Sequence, residues 1–538
     1  MKGKLFYLGV SGMQRSIEIL DSTLRDGAQG EGISLSVEDK LAITKLLDSL
    51  GVAYIEAGNP ASNPKDMEYF QQISHTAYAN ASIVAFGSTR RKGVPVEEDA
   101  NVQALLEADA PICCIFGKSW KLHVTEILGT TPEENAAMIG ETIAYLRENG
   151  KRVFFDAEHF FDGYKDDPEF ALAALQAAAD AGAECLVLCD TNGGSFPDEI
   201  GEITAVVAGR FESVKVGIHC HNDCGMAVAG TIAAVQAGAE HVQGTWLGFG
   251  ERCGNANLSN VVANLQLKRG IACIPAEKLS ELTTVSREIA EIANVRVPHS
   301  QPFIGASAFA HKAGMHADGV LKLSRSFEQV SPESVGNERR FLMSEQTGRA
   351  AVLQRMQRVC PELTRQSPQT QVILDRLKQL EHDGYQFEGA EPSFELVVRK
   401  SLGLYEPYFE LVSYKVLDEE PGDDTGNSAT ATIKIRVGGE LSIAAAEGDG
   451  PVHALDLALR EALSHFYQSM VRCRLIDYKV RVMDSKQATA ANVRVLITST
   501  DGKDVWTTVG VSTDVIQASW LALVDSFEYR LIRDGIER

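Results

Sequence analysis

The sequence lacks the features that direct a protein to a membrane or to nucleic acid. It contains no apolar run of the roughly 20 residues that a membrane-spanning helix needs. The apolar stretch in MKGKLFYLGVSGMQRS, at its start, is too short and too broken for a signal peptide. Its 51 Lys and Arg stand against 73 Asp and Glu, a formal net charge of -22, whereas nucleic acid and anionic membranes attract basic surfaces. We therefore expect a cytoplasmic protein with no nucleic-acid partner and no membrane partner.

The cysteines are scattered, and they include no paired CxxC arrangement of the kind that holds zinc. We expect buried, reduced thiols, as in proteins of a reducing compartment. Cys220 and Cys224 flank two histidines, His219 and His221. Because alternate residues of a strand point to opposite faces, Cys220 is predicted to point away from the side that both histidines share.

Short β-branched runs alternate with amphipathic helical patterns over residues 1–275. The strand candidates are residues 17–21, 53–58, 82–87, 111–116, 152–158, 184–190, 214–219 and 241–246. Eight strand–helix units favour a closed (β/α)8 TIM barrel over an open doubly wound sheet. No GxGxxG motif follows the first strand, which also disfavours a dinucleotide-binding fold. Residues 1–275 are therefore predicted to form a catalytic barrel.

The pattern changes after residue 275. Residues 276–390 read as a helical linker, interrupted by a polar, loop-like region at 309–322. Residues 391–538 read as strand-rich, beginning with FELVVRKS at 394–401, and strands followed by a helix occur twice. The acidic segment 417–430 is predicted to be a mobile loop. This order favours an internally duplicated α+β domain.

Polar side chains follow most of the predicted barrel strands, where TIM-barrel enzymes carry their active sites. His219 and His221 stand two apart on one face of the seventh strand, and Asp26 and Asn255 follow the first and eighth. Together they supply two nitrogen and two oxygen donors, which suit a divalent ion such as Mn2+, Mg2+, Zn2+ or Co2+. Arg25 would lie beside the ion and donate hydrogen bonds to a developing oxyanion.

Three separated motifs, DSTLRDGAQ, HCHND and GFGERCGNANL, resemble those of the DRE-type TIM-barrel metallolyase superfamily. Within it, nearly the whole chain is similar to the 2-isopropylmalate, homocitrate and citramalate synthases, which carry a duplicated C-terminal regulatory domain. The segments DGAQGEGISLSVEDK, ASNPKDMEYF and EHFFDGYK are most similar to the citramalate synthase branch. The resemblance implies an acyltransferase that condenses acetyl-CoA with a 2-oxo acid, most simply pyruvate, and then hydrolyses the thioester.

The resemblance also implies roles for individual residues. It assigns Asp26, His219, His221 and Asn255 to the metal, Arg25 to the ketone, Gln29 and Thr191 to substrate binding, and Glu158 to orienting the reactants. His316, in AGMHADG, matches the histidine linked to deprotonation of the acetyl methyl group, which reaches the barrel of the neighbouring subunit. The resemblance therefore implies a homodimer, and the C-terminal domain implies feedback inhibition by an amino acid, which would be isoleucine for a citramalate synthase.

Other functions stay open at this point. A longer 2-oxo acid would give 2-isopropylmalate or homocitrate, and AGNPAS at 57–62 departs from the citramalate branch, so residues 56–62 are expected to shape the choice of oxo acid. Cleavage, as in related acyl-CoA lyases and aldolases, is disfavoured because those relatives lack the duplicated domain. An inactive amino-acid sensor is disfavoured because all the candidate ligands, Arg25 and His316 are retained.

Overall fold

The computed structural model divides the chain into two compact units. The barrel unit comprises Met1–Phe309 and Gln329–Arg339, and the C-terminal unit comprises Ala310–Glu328 and Arg340–Arg538. The structure describes residues 15–73, 76, 78–311, 316, 319–320, 322–341, 349–418, 429–483, 491–502 and 504–536. Most of the acidic segment predicted to be mobile, 419–428, lies outside the described residues, as do 312–315, 317–318 and 321 of the loop-like region.

Eight parallel strands close into a barrel, which confirms the predicted fold of this part of the chain and each of its eight predicted barrel strands. The strands are β1 Glu18–Asp21, β2 Tyr54–Gly58, β3 Ser82–Ser88, β4 Ile112–Lys118, β5 Arg152–Glu158, β6 Cys185–Asp190, β7 Lys215–Cys220 and β8 His241–Gly244. The barrel closes where β1 pairs with β8, from Glu18 opposite His241 to Asp21 opposite Gly244. An open doubly wound sheet is thereby excluded.

Helices alternate with the strands along the chain. They are α1 Val37–Leu50, α2 Pro64–Ile73, α3 Ala100–Glu107, α4 Pro132–Glu148, α5 Phe160–Asp166, α6 Pro168–Asp180, α7 Pro197–Arg210, α8 Ala227–Ala237, α9 Leu258–Asn264 and α10 Leu282–Ile292. Helix α1 begins at a capping box between Ser36 and Asp39 and ends at Gly51, whose φ of 91° suits glycine. Local sequence signals therefore set these boundaries.

Two apolar layers build the barrel unit. The inner layer fills the barrel with side chains such as Leu20, Val84, Phe154 and Val187. The outer layer packs the strands against the helices, and Cys220 belongs to it. This placement confirms that Cys220 points away from the barrel interior. A packed interior leaves the carboxyl ends of the strands as the place where a TIM barrel carries its active site.

In its described part, the C-terminal unit has a run of helices between residues 349 and 401, followed by two similar halves. Its elements are β9 Ala310–His311, β10 Arg340–Phe341, α11 Arg349–Val359, α12 Pro368–His382, α13 Glu391–Ser401, β11 Glu410–Asp418, β12 Ala429–Val437, β13 Glu440–Gly448, α14 Pro451–Ser464, β14 Arg474–Val482, β15 Val493–Thr500, β16 Val505–Ser512 and α15 Val515–Arg533. Each half has a three-stranded antiparallel sheet followed by a helix, and both contribute to one apolar core. The predicted duplication is confirmed.

One predicted strand is wrong. The segment FELVVRKS, predicted to begin the strand-rich region, lies in helix α13. Pro392 stands in the first turn, where proline favours helix initiation, and Phe394 and Val398, four residues apart, enter the same apolar cluster. Packing of one helical face therefore overrides the β-preference of valine.

Among the described residues, no helix has the length and apolar composition of a membrane span.

Candidate metal centre and active site

The loop after β1 is fixed to the end of its own strand and to the segment after β8. The Asp21 carboxylate accepts hydrogen bonds from the backbone N–H and the hydroxyl of Thr23, both at 2.9 Å. The Thr23 hydroxyl oxygen accepts a third bond, 2.7 Å long, from the backbone N–H of Trp246. All three residues are fully buried. The loop therefore presents Arg25 and Asp26 from a rigid base.

Three buried side chains converge at the carboxyl ends of β1 and β7. One ligand atom from each of Asp26, His219 and His221 lies within 4.8 Å of the other two. Nε2 of His219 is 3.6 Å from Oδ2 of Asp26, and the two imidazole centroids are 5.2 Å apart. The predicted juxtaposition of the HxH pair with the first strand is therefore present in the fold, and this cluster could hold a metal ion.

Asn255 joins the cluster through backbone pairing. Asn255 forms an antiparallel bridge with His221, and its side-chain amide nitrogen donates to Oδ1 of Asp26 and to the carbonyl of Phe249, both at 3.0 Å. The preceding Gly254 has φ of 82°, and a Cβ there would lie 2.0 Å from the carbonyl oxygen of Gly248. Glycine is therefore required for the turn that brings Asn255 to the histidines.

The unused atoms of these side chains suit a divalent cation. Oδ1 of Asn255 and Nδ1 of His221 are buried, and neither has a hydrogen-bond partner within the described part of the chain. Buried polar atoms without a partner are costly, and a cation would satisfy an amide oxygen, a carboxylate and neutral imidazoles. The cluster therefore fits the predicted metal, without distinguishing Mn2+ from Mg2+, Zn2+ or Co2+.

The charge states of the cluster also suit a cation. Burial opposes ionisation of Asp26, but Arg25 and the two histidines hold the pKa of this carboxyl well below its usual range. Burial lowers the pKa of His221 to about 4, and His219 acts in the same direction. Near neutral pH Asp26 is therefore a carboxylate and His221 a neutral imidazole, the forms that bind metals.

Arg25 is held between two buried carboxylates and an aromatic ring. Its Nε lies 2.6 Å from Oε2 of Glu56, and its Nη1 lies 2.8 Å from Oδ2 of Asp26. Its guanidinium carbon is 3.6 Å from the ring centroid of Phe86, within cation–π range. Burial disfavours the charge, but Glu56 and Asp26 raise the Arg25 pKa above its ordinary value. Arg25 is therefore a fixed cation at the edge of the cluster.

A cavity of about 250 Å3 opens above these residues. Its lining includes the predicted barrel residues Arg25, Asp26, Gln29, Glu158, Thr191, His219 and His221. Glu158 pairs with Lys118 across neighbouring strands. Thr191 accepts a hydrogen bond from His159 N–H through its hydroxyl oxygen at 2.9 Å, and its carbonyl accepts one from Arg252 at 2.7 Å. The fold thus gathers the predicted residues around one small cavity.

A second, larger cavity of about 470 Å3 shares part of this lining. Both cavities are lined by Arg25, Gln29, Phe86 and Phe116. The larger one continues along the β2–α2 loop, where Asn59, Ser62 and Asn63 contribute to it, and reaches Lys65 in the first turn of α2. Residues 59 and 62 of the segment predicted to select the oxo acid therefore line the larger cavity. The rings of Phe86 and Phe116 border both cavities.

Three known protein families match successive parts of the chain. Residues 16–289 match the HMGL-like family, residues 303–384 match the homocitrate synthase post-HMGL domain-like family, and residues 388–531 match the LeuA allosteric (dimerisation) domain. A relative from Aquifex aeolicus, named (R)-citramalate synthase, is 49% identical to this protein over 98% of this chain and 99% of the relative's chain. The chain belongs to the (R)-citramalate synthase family.

Other relatives place the chain within this family. The (R)-citramalate synthase of Synechocystis sp. is also 49% identical, over 97% of both chains. The probable 2-isopropylmalate synthase of Methanopyrus kandleri is 33% identical, over 95% of this chain and 98% of its own. Both kinds of synthase therefore match over nearly the full length, with higher identity to the citramalate synthases.

The remaining predicted site residue, His316, is not a residue of the barrel unit. It belongs to the C-terminal unit, where its exposed ring lies 4.6 Å from that of Phe327. The described contacts do not test its assignment as a base that acts on a neighbouring subunit, so this role stays a prediction.

Several residues that line the smaller cavity of this citramalate synthase family member were not predicted from the sequence. Phe86 and Phe116, near the ends of β3 and β4, stack with their centroids 5.4 Å apart. The sequence signal that could have identified them is their position at the ends of two predicted strands, where polar residues alone were considered as site candidates. Asp156 and Cys189 also line the smaller cavity. Asp156 stands two residues before Glu158, so it shares its strand face.

Proposed function

We propose that this protein condenses acetyl-CoA with pyruvate and hydrolyses the resulting thioester, giving citramalate and CoA. The observation that carries the proposal is full-length similarity at 49% identity to proteins named (R)-citramalate synthase. The cluster of Asp26, His219, His221 and Asn255 beside Arg25 supports it, because condensation onto a ketone needs a group that stabilises negative charge on oxygen.

The residues of the smaller cavity take complementary roles in this proposal. A divalent ion held by Asp26, His219, His221 and Asn255 would supply Lewis-acid polarisation of the ketone. Arg25 donates hydrogen bonds to the ketone oxygen as it gains negative charge, and its two carboxylate partners keep the guanidinium in place. Thr191 and Gln29 bind pyruvate, and Glu158 orients the reactants.

The proton of the acetyl methyl group requires a base. We propose His316, which accepts this proton so that the methyl carbon attacks the ketone carbon; water then cleaves the thioester and releases CoA. The proposed enzyme is a homodimer in which the partner subunit's His316 serves each barrel. The match of residues 388–531 to a LeuA allosteric (dimerisation) domain supports this assembly.

The two cavities, which share four lining residues, suit a reaction with two substrates of unequal size. The smaller cavity holds the candidate ligands, and the larger one gives a longer molecule access to Arg25 and Gln29. Pyruvate therefore fits the smaller cavity, and the thioester arm of acetyl-CoA fits the larger. The compartment proposed is the cytoplasm, which the ten free cysteines support.

The test compares 2-oxo acids with the full-length protein. With acetyl-CoA and Mn2+ or Mg2+, pyruvate should give citramalate faster than 2-oxoisovalerate or 2-oxoglutarate gives its product. Cys224 and Cys253 are exposed free thiols, which would react with thiol reagents used to detect CoA. Product formation should therefore be followed by mass spectrometry. His219→Ala should abolish it, and Gln176→Ala, on the exposed surface of α6, serves as a control.

The outcomes separate the candidate functions. A higher kcat/KM for 2-oxoisovalerate would assign 2-isopropylmalate synthesis, and one for 2-oxoglutarate would assign homocitrate synthesis. Absence of condensation with every oxo acid, together with no effect of His219→Ala on metal binding, would refute the synthase and its metal site. Residues 388–531 match a domain typical of the synthases, which supports condensation over cleavage.

We also propose isoleucine as a feedback inhibitor that binds the C-terminal unit. The match to a LeuA allosteric domain supports a regulatory ligand, and isoleucine fits the proposed citramalate product. A thermal shift series with isoleucine, leucine and lysine tests it, because a ligand that binds only the folded state raises the melting temperature. No stabilisation by isoleucine would contradict this assignment.

A further inference from the structure

His219 makes a hydrogen bond whose direction decides whether it can bind a metal. Its Nε2 faces Asp26, at 3.6 Å from Oδ2, and its Nδ1 lies 2.9 Å from Oε1 of Gln243. A neutral imidazole carries one proton, so Nε2 offers a lone pair only when the proton is on Nδ1. An acceptor at Nδ1 therefore favours the tautomer that binds a cation.

A glutamine side chain alone would not fix this choice, because its amide can present either an acceptor or a donor. Nε2 of Gln243 donates to Oδ1 of Asp156 at 2.9 Å, and the thiol of Cys114 donates to the same oxygen at 3.2 Å. If the amide were reversed, its oxygen would face the Asp156 oxygen and its N–H groups would face His219. Asp156 therefore determines that Gln243 presents its oxygen to the histidine.

The chain of contacts crosses the barrel interior. Gln243 on β8 is directly opposite His219 on β7 in the strand register, while Asp156 lies on β5 and Cys114 on β4. Gln243 and Cys114 are fully buried, and Asp156 and His219 are each 4% exposed. In such surroundings water does not compensate for a reversed amide. Gln243 is not part of the lining of the smaller cavity, so it acts through His219 rather than on substrate.

We propose that Gln243 and Asp156 are positioning residues that hold His219 as its Nδ1–H tautomer and thereby set the affinity of the cluster for a divalent cation. This inference rests on the proposed metal site, but the tautomer is a property of the protein without metal. Partners of this kind raise metal affinity by roughly 10- to 100-fold in other proteins.

The first measurement reads the tautomer directly in metal-free, full-length protein. Solid-state 15N spectra of protein labelled at histidine distinguish a protonated Nδ1 from a protonated Nε2, and loss of a signal in His219→Gln assigns it. The unsubstituted protein should show Nδ1–H at His219. Gln243→Met, of similar size but without an acceptor, should shift the population towards Nε2–H. The double variant Gln243→Glu/Asp156→Asn keeps an acceptor facing His219 and supplies an amide donor in place of the Asp156 carboxylate, so it should preserve Nδ1–H.

The second measurement is the Mn2+ dissociation constant by titration calorimetry. Gln243→Met should weaken binding by roughly 10- to 100-fold. The double variant Gln243→Glu/Asp156→Asn should recover most of this loss, and Asp156→Asn alone should give mixed tautomers and an intermediate loss. The matched control is Gln266→Met, which removes a hydrogen bond from Ile274 N–H elsewhere in the barrel unit and should change neither measurement. Thermal melting of each variant verifies that it is folded.

The outcomes separate this inference from the proposed function. An unchanged tautomer and an unchanged Mn2+ affinity in Gln243→Met would overturn the inference and leave the metal site standing. Mn2+ binding that is absent in the unsubstituted protein would refute the metal site and with it the affinity claim. Weakened binding without a tautomer change would show a merely structural role for Gln243 and would also overturn the inference.

Discussion

Replacement of Arg25 by Met gives the sharpest test of how the active-site charges are balanced. The Arg25, Asp26 and Glu56 side chains are 11%, 5% and 0% exposed, so solvent hardly screens them. Methionine retains most of the volume and removes the charge. Within the described residues, Glu56 then keeps only the Ser22 hydroxyl as a donor, and Asp26 keeps the Asn255 amide.

The magnitude follows from these contacts. Removing one partner of a buried ion pair costs ~3–5 kcal/mol, because the remaining charge is left without compensation in a poorly solvated site. Here one guanidinium serves two carboxylates, so the barrel unit should lose at least this much. Adding Glu56→Gln to Arg25→Met removes one uncompensated charge and should restore roughly 1–3 kcal/mol.

Urea denaturation followed by tryptophan fluorescence measures both effects. Trp120 and Trp246 report on the barrel unit, whereas Trp506 and Trp520 belong to the C-terminal unit, whose transition should not move. The control, Lys121→Met, breaks the half-exposed ion pair with Asp167, which solvent screens, and should shift the transition far less than Arg25→Met.

Two results would refute this reasoning. The first is a loss in Arg25→Met no larger than that in Lys121→Met. The second is a further loss when Glu56→Gln is added, which would mean that the Glu56 charge is satisfied without Arg25.

Three further predictions address the loop after β8 and the C-terminal unit. Gly254→Ala should destabilise the barrel unit by more than ~1 kcal/mol and weaken Mn2+ binding, because its Cβ would lie 2.0 Å from the Gly248 carbonyl oxygen. Arg252 donates to Asp223 at 2.8 and 3.0 Å and to the carbonyl of Thr191, the proposed pyruvate-binding residue, at 2.7 Å, so Arg252→Lys should displace Thr191 and raise the KM for pyruvate roughly tenfold at nearly constant kcat. Burial raises the pKa of Glu528 from 4.5 to about 7, so its contribution to stability is complete below pH 4.5 and lost as the pH rises through 7. Glu528→Gln should therefore remove up to ~3 kcal/mol of the pH dependence of unfolding between pH 5 and pH 8.

Each of these predictions has its own control or contrary result. Gly32 has a φ of 78° with nothing within 4 Å of an added Cβ, so Gly32→Ala introduces backbone strain without a steric clash. An equal loss of stability in Gly32→Ala and Gly254→Ala would contradict the steric argument. For Arg252→Lys, a fall in kcat with constant KM would contradict a role in binding. For Glu528→Gln, urea midpoints at pH 5 and pH 8 that differ as much as in the unsubstituted protein would contradict the linkage.

Much of the fold was predictable because its signals are local. Eight β-branched runs of strand length each became a barrel strand, since a strand buried on both faces needs a continuous apolar run. The ends of α1 were predictable from Ser36 and Gly51, which satisfy backbone groups within one turn. Helix α13 was not predictable, because its segment has strand-like composition and packing decides its state.

The candidate site shows the same division. The sequence by itself determined that His219 and His221 share a strand face and that Asp26 and Asn255 stand at strand ends, because period-two alternation and barrel closure are properties of the chain pattern. Only the tertiary structure decided which atoms face the cluster. The hydrogen bond from Gln243 to Asp156 joins residues 87 positions apart, and that from Asn255 to Asp26 joins residues 229 apart. Such contacts depend on how the barrel closes and on which donors remain unsatisfied within it, and no local pattern encodes either property.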